Sequence, residues 1–277
     1  MLILLLRSRA NRRAAIARGF SLIEIAVVLL ILSVLISIVA IPISSQVEAR
    51  RVEDTRKQVE LAKEALMGFA VSQGKLPCPA SPISNGVSSY CTNGTGACTA
   101  TTTVQTHGRC SDPNGFLPAV TLGTAPIDAQ GYAVDAWQDG TAARRVRFAV
   151  SRFESPAGTF PLTAANGIRT ATMDTVAVAP NHLYICATGL VAAPPTSSCG
   201  ATVTTLSSQA AAVIYSFGKN GTNAFADLSF DEKNNQDAGS NDIVFTAGDP
   251  NATFDDIVTW VSLNVLFGRM VQANKLP

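Results

Sequence analysis

From Ile25 to Ile43 the chain is apolar apart from Ser33, Ser37 and Pro42, and a single carboxylate, Glu24, stands directly before the run. About 20 such residues suffice for a helix to cross a bilayer. Arg7, Arg9, Arg12, Arg13 and Arg18 precede the run with no acid among them, which favours a cytoplasmic N-terminus, although Arg50, Arg51, Arg56 and Lys57 follow it. An ionisable group in a membrane helix costs roughly 2.5 to 3.5 kcal/mol. The dipole of a helix N-terminus returns at most about 1 kcal/mol of that. Glu24 therefore calls for a partner. The competing reading is a secretory signal cut after Ala40, and the continuation of the apolar run past that point speaks against it.

The helical pattern does not stop at the apolar run. Val52, Thr55, Val59, Ala62, Leu66 and Phe69 step by three and four, while Arg51, Glu53, Asp54, Arg56, Lys57, Glu60, Lys63 and Glu64 fill the remaining positions. Gly74 and Pro77 end it. The spacing predicts one long helix, apolar first and amphipathic after, with Pro42 as its interior irregularity.

Charge excludes one class of partner. The formal net charge is +1, but five of the 21 basic side chains lie in the first nineteen residues. The remainder is mildly acidic and holds no basic patch for nucleic acid.

Six cysteines occur, all after the apolar run and none in a C-x-x-C pair, which points to disulfides in an oxidising compartment. Six cysteines allow fifteen connectivities. "CTNGTGAC" sets Cys91 and Cys98 on either side of an Asn-Gly turn, so that pair is expected. Cys78 with Cys110 would then close the outer loop, and Cys186 with Cys199 would bridge "ATGLVAAPPTSS".

Strands are expected in "RRVRFAVS" from Arg144, "HLYICAT" from His182, "AAAVIYSFG" from Ala210 and "NDIVFT" from Asn241. No helix of good period separates them, which predicts an antiparallel sheet. "TFDDIVTWVSLNVLFGRM" reads as a closing helix, with Thr253 and Asp256 as its capping box and Phe254, Ile257, Val258, Val261 and Val265 on one face. The fold class expected is α+β: a long N-terminal helix, transmembrane in its first half, packed on an antiparallel sheet, with a disulfide-tied loop insertion and a C-terminal helix.

No nucleophile elbow, H-E-x-x-H helix, P-loop or dinucleotide fingerprint is present. Only His107 and His182 could act as imidazole bases, and the chain reads as no enzyme; a pocket joining a serine, one of these histidines and an acid would overturn that. "ADLSFDEKNNQDAGSND" gathers carboxylates and amides of the kind calcium prefers, without the EF-hand spacing.

"GFSLIE", Gly19 to Glu24, with a basic leader before it and an apolar helix after, resembles the processing signal of type IV prepilins and type II secretion pseudopilins. The resemblance implies cleavage between Gly19 and Phe20 by a prepilin peptidase, methylation of Phe20, and pairing of Glu24 with the new terminus of a neighbouring subunit. It divides the chain into a leader (1–19), a long helix (20–74, transmembrane over 20–43) and a periplasmic, pilin-like head (75–277). "DAWQDGTAARRVRFAV" resembles the Asp-x-Trp-Gly element of major pseudopilins, with Gln138 in place of the glycine, and "YSFGKNG" resembles their Ser-x-Gly-x-x-Gly turn. Their calcium loop follows that turn, so the resemblance makes calcium a candidate cofactor with Asp231, Asp237 and Asp242 as its ligands, and the competing reading is a solvated acidic loop that binds no ion. "KLPCPA" and the "ANKLP" ending resemble a longer group with a disulfide-tied insertion, whose stretch from Ser81 to Cys110 matches no family element.

The implied role is that of a structural subunit, a minor pilin or pseudopilin, placed in the bacterial inner membrane as a single-pass protein and then in a filament. Its partners would be other subunits, the peptidase, the inner-membrane assembly machinery and membrane lipid. The alternative treats the head as an adhesin or cargo-binding module tethered to the membrane by the helix.

Overall fold

The computed structural model describes residues 21–173, 176, 182–193, 195–236 and 242–276, the side chains of 37–44 excepted. The first helix, α1, spans Leu22–Gln73. Two compact units divide the chain, Met1–Glu48 and Ala49–Pro277. In the second unit Thr55, Val59, Ala62 and Leu66 of the expected face of α1 are buried, together with Met67 and Ala70, while Val52 and Phe69 are half-buried.

That face meets a sheet. Its strands are β3 (Asn114–Phe116), β4 (Arg147–Val150), β5 (Leu183–Ala187), β6 (Thr205–Ser216), β7 (Val244–Ala247) and β8 (Ile257–Ser262), while β1 (Tyr90–Cys91) and β2 (Ala100–Thr101) form a separate antiparallel pair. The order is β3-β4-β6-β5-β7, with β8 also paired to β6. β6 is long enough to serve three neighbours: β5 pairs Thr205 to Ala210, and β4 and β8 pair the half that follows. Phe148, Val150, Ala212 and Ile214 join α1 in the main core, and the alternate residues Ala149, Val213 and Tyr215 build a second core on the opposite face. Burial on both faces explains why "AAAVIYS" reads as an unbroken apolar run. Short helices α2 (Ala119–Leu122), α3 (Gly167–Thr170) and α4 (Phe230–Gln236) lie between strands, and α5 (Leu263–Gln272) closes the chain.

Three expectations are corrected. The sheet is mixed, because β5 and β7 run parallel. The crossover between β6 and β7 contains α4, which apolar periodicity does not reveal because its buried residues are Glu232, Asn234 and Asn235. Asn234 and Asn235 donate to the Val244 and Thr246 carbonyls, and the Thr246 N–H donates back to Asn235 Oδ1 at 2.8 Å. The helix thus covers the outermost strand with amides in place of an apolar stripe.

The closing segment is a strand and then a helix. Ile257, Thr259 and Val261 are buried while Val258, Trp260 and Ser262 are half-buried, a period of two. Steps of four preserve parity, so Ile257, Val261 and Val265 satisfy either period in the sequence. The cap is Ser262, whose hydroxyl accepts from the Val265 N–H, and the Thr253 and Asp256 capping box does not form.

The third correction concerns the transmembrane half over 20–43 and the single-pass inner-membrane placement with it. Among the described residues no helix is long and apolar enough to cross a membrane.

Candidate functional site

Within the first unit, α1 begins with the Glu24 and Ile25 N–H groups donating to the Ser21 carbonyl at 3.0 and 3.2 Å. Glu24 is the acid of the first turn. Around it, Leu22, Ile23, Ile25, Val27, Val28 and every large apolar residue up to Ile36 are exposed, with Leu22 at 88%. The exposed residues are consecutive, so they cover every side of the helix in place of one stripe. Gly19 and Phe20, the residues of the expected cleavage, lie outside the described residues.

In the second unit, two segments singled out in the sequence come together. Asp135 is fully buried; its Oδ2 accepts from Ser216 Oγ at 2.8 Å and its Oδ1 from the Trp137 N–H at 2.9 Å. Burial pushes the Asp135 carboxyl up to about 6. Arg144 closes the junction: its Nε donates to Asp139 at 3.0 Å, and its terminal nitrogens donate to the Gly218 and Lys219 carbonyls. The Thr141 hydroxyl and N–H, with Arg144, hold the Asp139 carboxyl down to about 2. Gly218 adopts a φ of 61°, and a Cβ there would lie 2.3 Å from the Asp255 carbonyl oxygen, so this turn requires glycine. The Ala136 N–H donates to Thr55 Oγ1 at 3.0 Å, which fastens the same segment to α1. The junction is structural: it locks helix, turn and central strand together.

The acid-rich segment distributes its carboxylates differently from the expected calcium set. Asp231 accepts from the Gly189 and Leu190 N–H groups at 2.9 and 3.0 Å, and Asp242 accepts from the Val244 N–H at 2.9 Å. Asp237 lies outside the described residues. Among the described residues no group of three or more His, Cys, Asp or Glu is placed to hold a metal ion. Glu232 is buried within this segment, and so is Asp256 from the chain beyond it, which accepts from Asn235 Nδ2 at 2.7 Å and whose pKa burial raises well above the ordinary carboxylate value.

Cys78 pairs with Cys110, Cys91 with Cys98 and Cys186 with Cys199, with Cα separations of 5.3, 5.0 and 5.4 Å. His182 is buried against Ser151, Oγ to Nδ1 at 2.8 Å, and its Nε2 lies 2.7 Å from the Val176 carbonyl oxygen. A carbonyl only accepts, so Nε2 carries the proton and Nδ1 accepts from the serine. Burial lowers the His182 pKa. Both ring nitrogens are thus occupied, one by the serine hydroxyl and one by the Val176 carbonyl. His107 Nδ1 accepts from the Arg109 N–H at 3.0 Å, a local turn contact.

Sequence reasoning missed the buried pair Lys75 and Tyr90, Nζ to hydroxyl at 3.1 Å, and the role of Arg144. The cluster "RRVR" held a signal: Arg145 pairs with Asp128 at 2.7 Å and stacks on Tyr132, while Arg147 lies over Phe116 and Phe217. Comparison of the chain with family models, with curated proteins and with solved structures yields no match.

Proposed function

We propose that this chain is a structural subunit of the minor-pilin or pseudopilin kind, processed between Gly19 and Phe20 and incorporated into a type IV pilus or type II secretion filament through α1. The observation that carries the reading is the run of exposed apolar side chains from Leu22 to Ile36, interrupted only by Glu24 and small residues. A helix apolar on all sides is not stable facing water and needs cover. Helices of neighbouring subunits supply that cover, and the ammonium group created at Phe20 supplies the charge that Glu24 requires. The partners are then other subunits of the filament and the prepilin peptidase. Three disulfides accord with an oxidising environment for the head. The role in this reading is assembly.

Intact mass and N-terminal sequencing of the protein from cells, together with a Glu24→Ala variant, test this. The expected results are a mature chain beginning at methylated Phe20, and a variant that is processed normally yet enters filaments roughly tenfold less, as loss of a charge pair of about 1.4 kcal/mol implies. An N-terminus at Ile41, or normal incorporation of Glu24→Ala, would refute the assembly reading.

A further inference from the structure

In the second unit, α1 and α5 border a groove of about 390 Å³. Met67, Gly68 and Val71 line it from α1, and Gln272 from the end of α5. Its two charged residues, Glu64 and Arg269, pair with one another at 3.1 Å, which leaves the lining neutral. Each bank carries a glycine that the fold does not call for. Gly68 lies inside α1 and Gly268 inside α5, one turn before Gln272, and neither has a positive φ. A Cβ built at either meets no atom within 4 Å among the described residues, so no packing inside the subunit requires glycine there. Glycine in a helix interior is nevertheless less favourable than alanine. Exposed aliphatic side chains flank both positions: Leu61 two turns before Gly68, and Val265 and Val271 about one turn to either side of Gly268. Glycine between aliphatic residues at helical spacing lets another helix approach closely.

What the same chain leaves uncovered names the occupant. From Ile25 to Ile36 the helix carries no charge and its large apolar residues are exposed, so it matches a neutral groove and needs one. That stretch is about 18 Å long and α5 about 15 Å at a rise of about 1.5 Å per residue, so the two lengths correspond. We infer that the groove between α1 and α5 seats the Ile25–Ile36 stretch of a second copy of this chain. The inference rests on the assembly reading in one respect, that this stretch is covered by another subunit. Helix and groove are different surfaces, so the contact is heterologous and can repeat from copy to copy as an open filament requires.

Photo-crosslinking of the full chain in cells tests the inference, with a benzophenone side chain introduced at Gln272 and the adduct mapped by mass spectrometry. The expected adduct is a pair of copies joined between position 272 of one and the 25–36 stretch of the other. Gly68→Gln should lower its yield at least about tenfold. Glutamine is the better helix former, so the melting temperature of that variant should be unchanged or higher. Absence of an adduct, an adduct to lipid or to another protein, or one that maps elsewhere in the second copy would overturn the inference. A parent-like yield in Gly68→Gln would overturn it equally. A mature chain that begins at methylated Phe20, with the Glu24→Ala defect but without the adduct, would sink the groove alone. An N-terminus at Ile41 removes the 25–36 stretch and would sink both readings.

Discussion

Lys75 is buried, with its ammonium 3.1 Å from the Tyr90 hydroxyl and 5.0 Å from that ring's centre, and its desolvation lowers its pKa from 10.5 to about 8. Folding therefore discourages a proton that the unfolded chain keeps. Between pH 8 and 10.5 the unfolded state binds more protons than the folded one, so stability rises with pH across that window. A shift of this size amounts to about 3 kcal/mol at most. Tyr90 acts in the opposite sense only later: burial raises it to about 12, so its contribution falls away as pH climbs from 10. The window from pH 8 to 10 isolates the lysine, and with all six cysteines bridged no free thiol is there to reshuffle the disulfides. Urea unfolding of the parent and of Lys75→Met at pH 7, 8, 9 and 10 measures the effect. The parent should gain about 2 to 3 kcal/mol over this range, whereas Lys75→Met should show a flat profile. Methionine matches the lysine stem in volume and carries no charge, so the variant should be at least as stable as the parent at pH 7 even after losing the contact to Tyr90. A flat parent profile, or a rise that persists in the variant, would refute the assignment.

Two further outcomes follow from the bridges and the buried acid. Removing the disulfides one at a time as Cys→Ala pairs should cost about 4, 3 and 2 kcal/mol for Cys78–Cys110, Cys186–Cys199 and Cys91–Cys98, in the order of the separations they close, 32, 13 and 7 residues; urea midpoints ranked the other way would show that loop entropy is not the source of their effect. Asp135 holds its proton up to about pH 6 when folded but releases it near 3.8 when unfolded, so its contribution to stability is present below pH 4 and lost as pH rises through 6. Asp135→Asn should remove about 2 to 3 kcal/mol of that decline, read as the difference between parent and variant melts from pH 4 to 7, and equal slopes in the two proteins would exclude it.

What could be read in advance was whatever apolar periodicity or a turn announces. The buried face of α1, the four sheet strands and the three cysteine pairs all have such marks, since burial of Val59, Ala62 and Leu66 repeats with the helix and Cys91 and Cys98 flank a short polar loop. What escaped was held by polar contacts. The helix α4 is fixed by Asn234 and Asn235, whose partners lie ten or more residues away on β7, and no local pattern records such a bond. The same holds for Arg144, which reaches carbonyls more than seventy positions distant, and for Asp231, which reads as a metal ligand but caps the turn at Gly189. The last strand was hidden for another reason: a four-residue step belongs to both periods, and only its pairing with β6 decides between them.

Three levels along α1 grip the end of the chain in matching order. Arg56 reaches Asp249 at 3.8 Å, Glu60 and Lys63 share the Thr259 hydroxyl at 2.7 and 3.0 Å, and Glu64 meets Arg269 at 3.1 Å. Each exposed pair contributes little by itself. Mechanically they act as a ratchet of aligned teeth, because an axial pull on α1 loads all three levels together with the apolar face beneath them. From Thr259 the connection continues into β8 and, through its pairing, into β6. A chain wired this way resists separation of this part of α1 from its closing strand as a rivet does, by the simultaneous strength of its fastenings.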